Sequence, residues 1–329
     1  MLRIFHNPSY DFIKWWRVAA ISTVAFIVIG LASFAVTGGV NYSIEFTGGT
    51  LIQIQSRTPV DVATLRTGLD RQGIPGSEIQ SFGGANEYVI RARVVKPGTD
   101  ANDTQSAAHA VTQALDATLG AGKYTVVRTE AVGPKVGGEL RQKAFLAIFL
   151  SFFAVLAYLA YRFEWRFGLA AVIATAHDIL ATVAFIGALR LEVSLTVVAA
   201  VLSMVGYSLN DTIIIFDRVR ENLHKHKKDS FEQILNRSIN ETLPRSILTH
   251  GTTLSSLTAL AIFGGEVIRP FALVMFFGVF TGTFSSIYIA SPVLMLIEKR
   301  WPGQLARGHL AAPKPAGVPV SGRKAQPVA

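Results

Sequence analysis

The 329-residue chain has no cysteine, which excludes disulfides and thiolate metal sites and leaves the compartment undecided. Charge is also scarce: Asp, Glu, Lys and Arg make up 16% of the residues, against about a quarter in an average soluble domain. Enzyme signatures are missing too. There is no HExxH and no Gly-x-Ser-x-Gly elbow, and the seven histidines show no metal-ligating spacing. "GAGKY" (120–124) ends like a P-loop, but Ala117 stands where the first glycine belongs and Tyr124 where a Ser or Thr belongs. The expectation is a protein that is not an enzyme, has no ATPase or hydrolase site, and uses no cofactor or metal.

Hydrophobic residues, by contrast, make up 50% of the chain. They gather into six runs long enough to span a bilayer: 16–37, 144–161, 167–189, 193–216, 246–264 and 271–297. The first is too long for a signal peptide and lacks a cleavage site, so it reads as a retained anchor. Basic residues orient the runs. Eighteen Lys and Arg fall at the N-terminal end (Arg3, Lys14 and Arg17), the 162–166 turn, the loop 217–245 and the tail 298–329, against two, Arg190 and Arg269, in the opposite short loops. The positive-inside rule then places both termini in the cytoplasm and residues 38–140 outside. Topology and anionic lipid at the cytoplasmic face account for the net charge of +9, so no nucleic-acid partner is implied. The tail, rich in Pro, Gly and Ala, is expected to be disordered.

Residues 38–140 alternate strand and helix patterns. "TLIQIQS" (50–56) alternates with period two, and "VDVATLRTGLDRQG" (60–73) has near-helical apolar spacing. "EYVIRARVV" (87–95) is a strand pattern again. "DTQSAAHAVTQALDATLG" (103–120) offers Asp103 or Thr104 as N-cap and Gly120 as C-cap, and "KYTVVRTEAV" (123–132) closes as a strand. With 41–46 as an extra strand, the order suggests a ferredoxin-like α+β domain. The fold class is thus a polytopic α-helical membrane protein, six transmembrane helices with an α+β domain between the first and second. In the loop 217–245, Phe231, Ile234, Leu235, Ile239 and Leu243 share one helical face. That helix either lies on the cytoplasmic surface or packs under the bundle.

Charged residues inside a membrane span face protein and are functional by default. "GYSLNDTIIIFDRVREN" (206–222) puts Asp211 inside the fourth run, and Ser203, Tyr207 and Asn210 join it in a polar stripe. Arg245, Thr249, Thr252 and Ser256 form a stripe on the fifth run at similar depth. An Asp whose arginine partner can approach or withdraw changes its proton affinity, the minimum for a proton relay. A static bridge between two helices is the alternative, and Arg245 alone also fits a residue snorkelling to headgroups. In the third run, Thr175, Asp178 and Thr182 share a face. Asp178 with His177 reads either as a proton shuttle or as the cap of a buried polar cluster. Gly278 and Gly282 in the sixth run read as a close helix contact.

These segments resemble the SecF family, the smaller membrane subunit of the SecD–SecF accessory complex of the bacterial Sec translocon. The resemblance covers about residues 10–300. It rests on GYSLNDTIIIFDRVREN, "EAVGPKVGGEL" (130–140), "TAHD" (175–178) and "LPRSILTHGTT" (243–253). The family's Asp-Phe-x-Gly-Gly stands here as "EFTGG" (45–49), with Glu45 for Asp and with Gly48 and Gly49 kept for the turn. Gly133, Pro134 and Gly137 belong to the second motif, and with Gly48 and Gly49 they are read as hinge positions of the outer domain.

The resemblance implies a resistance-nodulation-division protein of the bacterial inner membrane that uses the proton-motive force in late preprotein translocation. By position, Asp211 would carry the proton and Arg245 would be its charge partner, with Ser203, Tyr207, Asn210, Thr249, Thr252 and Asp178 in support. SecD would supply a further aspartate, and the translocon channel and unfolded preprotein are further implied partners. Two other functions stay open from the residues: a proton-driven small-molecule exporter of the same superfamily, and a passive assembly scaffold.

Overall fold

The computed structural model describes residues 9–84, 86–92, 104–303 and 306. Most of the N-terminal segment 1–15, the end of the EYVIRARVV pattern, the Asp103 cap and nearly all of the tail 298–329 beyond 303 lie outside the described residues.

In chain order the elements are α1 (Trp16–Val36), α2 (Ile44–Thr47), β1 (Gly49–Ser56), α3 (Val62–Arg71), β2 (Glu78–Ser81), β3 (Glu87–Ala92), α4 (Thr104–Leu119) and β4 (Tyr124–Val132). The long helices α5 (Pro134–Arg162), α6 (Trp165–Ala188), α7 (Leu195–Lys225), α8 (Phe231–Phe263) and α9 (Gly265–Ser285) follow, and a π-helical turn at Ser286–Ala290 joins α9 to α10 (Ser291–Arg300). Among the described residues, six helical segments are long and apolar enough to cross a membrane, with α9, the π turn and α10 counting as one. This is a multi-pass membrane protein.

Between α1 and α5, four antiparallel strands pair in the order β2-β3-β1-β4. With α3 and α4 between the strands, this is the β-α-β-β-α-β ferredoxin-like arrangement. Ile52, Ile54, Leu65, Leu69, Ile90 and Leu115 form a fully buried core beneath the sheet. Each contributes about 1.5–3 kcal/mol by leaving water.

In the helical bundle, α6, α7 and α9 bury about half of their membrane-spanning lengths or more, whereas α1, α5 and α8 lie at its rim. Gly278 and Gly282 of α9 make a close crossing: a Cβ at either position would overlap Met204 or Ser208 of α7. The GxxxG spacing therefore brings two backbones together, as small residues do in membrane helices.

Three sequence expectations change. Residues 41–46 form no strand: Tyr42 makes an isolated bridge to Val193, and α2 follows. The fourth strand is instead β2, too short to stand out as a periodic pattern. The loop 217–245 shrinks to 226–230, because α7 continues to Lys225 and α8 begins at Phe231 without a break before Phe263. Ser230 and Gln233 form a reciprocal capping box at the start of α8. Phe231, Ile234, Leu235, Ile239 and Leu243 are all buried, so the amphipathic segment packs against the bundle as the first turns of a membrane helix.

Candidate functional site

Helix α7 positions the central carboxylate. Ser194 caps its N-terminus, accepting from the Val197 N–H at 3.3 Å. From Leu195 the helix carries Asp211 sixteen residues on, about 24 Å along its axis. Asp211 is 3% exposed. Ser246 Oγ of α8 donates to Asp211 Oδ1 at 2.6 Å, while Oδ2 has no hydrogen-bond partner among the described residues. His250, one turn beyond Ser246, is also buried. Its ring lies edge-on to Tyr207 at 5.3 Å, and its Nδ1 has no partner among the described residues.

The Asp211–Arg245 bridge expected from the sequence is therefore absent as a direct contact. A helix turns about 100° per residue, and Pro244 lies within α8 just before this point. The face that meets α7 is Ser246, His250 and Leu257, one position on from the predicted stripe. Arg245, Thr249, Thr252 and Ser256 are exposed, as are Ser203 and Asn210 on α7. Arg245 makes no ion pair among the described residues. Besides Asp211, Tyr207 of the α7 stripe spans the two helices, donating to the Thr249 carbonyl at 3.2 Å and meeting Thr253 Oγ1 at 2.8 Å. Thr249 and Thr252 turn their hydroxyls onto carbonyls of their own helix, those of Arg245 and Leu248.

Asp178 sits on the other side of α7. It is 1% exposed and accepts from Ser208 Oγ at 2.5 Å and Ser285 Oγ at 2.8 Å, with His177 Nδ1 at 2.9 Å. His177 Nε2 lies 2.8 Å from Thr23 Oγ1. A proton on Nδ1 satisfies both ring nitrogens, the second by accepting from Thr23. The cluster ties α1, α6, α7 and α9 together. This geometry is that of a capped polar cluster, and no hydrogen bond among the described residues joins it to Asp211. Of its neighbours, Thr175 bonds back to Ala171, whereas Thr182 has no partner among the described residues.

The glycine positions gather at the other end of the bundle. Gly48 and Gly49 take φ of 74° and 135°, conformations that disfavour any side chain. Gly137 lies against the backbone of Phe46 and Gly48, Gly133 is the N-cap of α5 and Pro134 its first residue. Ser246, His250 and Ser208 were not singled out from the sequence. The spacing of Ser246 and His250 by four was available within LPRSILTHGTT, but the neighbouring Arg245 drew the stripe one position off.

Two family comparisons bear on this arrangement. Residues 110–300 match the family described as "Protein export membrane protein SecD/SecF, C-terminal", and residues 34–60 match the "SecD/SecF GG Motif". A protein translocase subunit SecF of Gemmatimonas aurantiaca is 62% identical over 305 residues, covering 92% of this chain and 91% of its own. The chain belongs to the SecF family. A SecF of Desulfurispirillum indicum is 40% identical over 306 residues, covering 91% of this chain and 94% of its own. Among solved structures, SecDF of Thermus thermophilus, described as a translocon-associated membrane protein, superposes with a TM-score of 0.77 at 35% identity. That match covers 88% of this chain and 39% of the solved one, so the chain spans about two fifths of the SecDF polypeptide. SecDF in its super-membrane-facing form matches at a TM-score of 0.65.

Proposed function

We propose that this SecF-family chain works in a complex with SecD as an accessory subunit of the Sec translocase, coupling the proton-motive force to late preprotein translocation. Asp211 takes up and releases the proton. Arg245 is its charge partner and faces a carboxylate supplied by SecD. The observation that carries this reading is the mismatch between the two residues. Asp211 is buried with one hydrogen-bond donor among the described residues, while Arg245, next to that donor on α8, is exposed and makes no ion pair among the described residues.

The polar face of Ser203, Asn210, Arg245, Thr249, Thr252 and Ser256 supports a SecD interface there. A free arginine exposed to hydrocarbon costs about 2.5–3.5 kcal/mol on insertion scales, so a partner helix is the economical cover. In this reading the chain lies in the bacterial inner membrane with both termini cytoplasmic and residues 38–140 periplasmic, and anionic lipid meets its basic cytoplasmic edge. The translocon channel and unfolded preprotein are the further partners. The coupling needs protons, without a cofactor or an ATPase or hydrolase site of its own.

The test is preprotein translocation by vesicles that hold SecD with wild-type or Asp211→Asn chain, with and without a proton gradient. The expected result is loss of the gradient-dependent increment in the variant with SecD association unchanged. An intact increment contradicts the proposal. Loss of the complex itself makes Asp211 a structural anchor, the scaffold role.

A further inference from the structure

The carboxylate of Glu45 is bonded to the first backbone amide of the helix that carries Asp211. Its Oε2 accepts from Leu195 N–H at 2.6 Å. A carboxylate at a helix N-terminus satisfies an amide left open by the helix and complements the helix dipole. Ser194, the residue just before the helix, caps the same turn, so the start of α7 is held from two sides.

Around this bond the α+β domain and the α6–α7 turn are zipped together. Val193 N–H donates to the Asn41 carbonyl at 2.7 Å, and Ser43 N–H donates to the Val193 carbonyl at 3.0 Å. Arg91 of β3 pairs with Glu192, and Arg190 donates to the Thr37 carbonyl at 2.7 Å. On the opposite side of α2, Gly137 approaches so closely that an added Cβ would lie 2.9 Å from the Gly48 amide nitrogen. The contact is backbone on backbone, with no side chain whose rotamer can yield.

From this clamp to Asp211, α7 is one uninterrupted helix without proline. A helix of that kind moves as a rod. We infer that Glu45 is a positioning residue for coupling: it holds the outer end of α7 to the α+β domain, so that a displacement of α7 at Asp211 moves the domain as one piece. The clamp stays closed through the cycle, and motion occurs elsewhere. The inference rests on the proposed proton role of Asp211.

The absence of native cysteine permits a direct test in the SecD complex. Tyr42 and Val193 form a bridge pair, and neighbouring strands stand about 4.8 Å apart, within the range for a disulfide. Oxidised Tyr42→Cys/Val193→Cys chain is expected to keep the full gradient-dependent increment of translocation. Glu45→Ala is expected to lose that increment, keep gradient-independent translocation and still bind SecD, and Glu45→Asp to restore it. Leu195→Pro is a second variant, for use if Glu45→Ala does not assemble. It removes the same hydrogen bond from the donor side at the first helical position, where proline is tolerated. It too is expected to lose the increment.

Loss of the increment on oxidation overturns the inference, because the clamp must then open. Retention in Glu45→Ala or Leu195→Pro overturns it as well. If Asp211→Asn keeps the increment in the same preparations, the proton role fails instead, and these variants become tests of assembly alone.

Discussion

Ser246 and Asp211 meet across the α7–α8 contact through a 2.6 Å hydrogen bond, while Arg245, adjacent in sequence to Ser246, faces out of the chain. One residue of helical rotation separates the group that holds the carboxylate from the group expected to discharge it. Asp211 is thus held from within its own chain, and Arg245 is placed where a second chain can reach it.

Removing Ser246 takes away the one hydrogen-bond donor that Asp211 has among the described residues. Ser246→Ala is expected to cost about 1–3 kcal/mol, the range for a buried polar group deprived of its partner. It lowers the melting temperature of the purified complex and reduces gradient-dependent translocation. An unchanged melting temperature would mean that the hydroxyl does not hold Asp211.

Asp178 joins four helices, and its loss is expected to be structural. Asp178→Ala strands Ser208 and His177 in the bundle interior, a cost of about 1–3 kcal/mol or more. Asp217→Ala removes only exposed ion pairs, those with Arg162 and Arg220, each worth about 0–1 kcal/mol. Thermal melting in detergent should rank them in that order. Equal effects would contradict the cluster as a fastening point.

The α7–α9 crossing depends on absent side chains. Gly282→Ala drives a Cβ to within 2.7 Å of Ser208 Cβ, and overpacking of this kind costs about 1–3 kcal/mol. Gly138→Ala in α5 meets open space and is expected to be neutral or slightly stabilising. Melting temperatures of the two variants check the contrast.

At the clamp, burial pushes the Glu192 carboxyl up, and Arg91 opposes the shift without cancelling it. A carboxyl raised on folding binds more protons in the folded state. Its contribution is therefore present at low pH and lost as pH rises through the folded value. Glu192→Gln is expected to flatten the fall in melting temperature with rising pH above the usual carboxylate range. Arg91→Ala steepens it, because a buried charge then lacks its partner. A Glu192→Gln curve parallel to wild type would contradict the assignment.

Much of the fold was legible because hydropathy reports length and burial in lipid directly. The six spans were readable for that reason, as was the GxxxG crossing at Gly278 and Gly282. Hydropathy failed where helices leave the membrane. In α7 and α8, Arg218, Glu221, Lys225 and Glu241 pair with one another along and between the helices, so charged turns that looked like a loop are helical. Strand β2 is four residues long and carries too few positions to show a period.

The site was legible in its residue types and less so in its contacts. Asp211 and Asp178 stood out because a carboxylate in an apolar run needs a reason. Which α8 residue meets Asp211 depends on a rotation of about 100° that spacing alone does not fix. Glu45 was visible as the odd residue of EFTGG, but its partner is a backbone amide 150 residues away, which no side-chain pattern announces.

The most direct test of proton coupling is proton entry itself, followed with a pH-sensitive dye in vesicles holding this chain, SecD and a translocating preprotein. With wild-type chain, the account predicts proton flux that rises with translocation. With Asp211→Asn at equal SecD content, that rise is expected to vanish. An equal flux from the two would contradict the account and move the proton path to other residues.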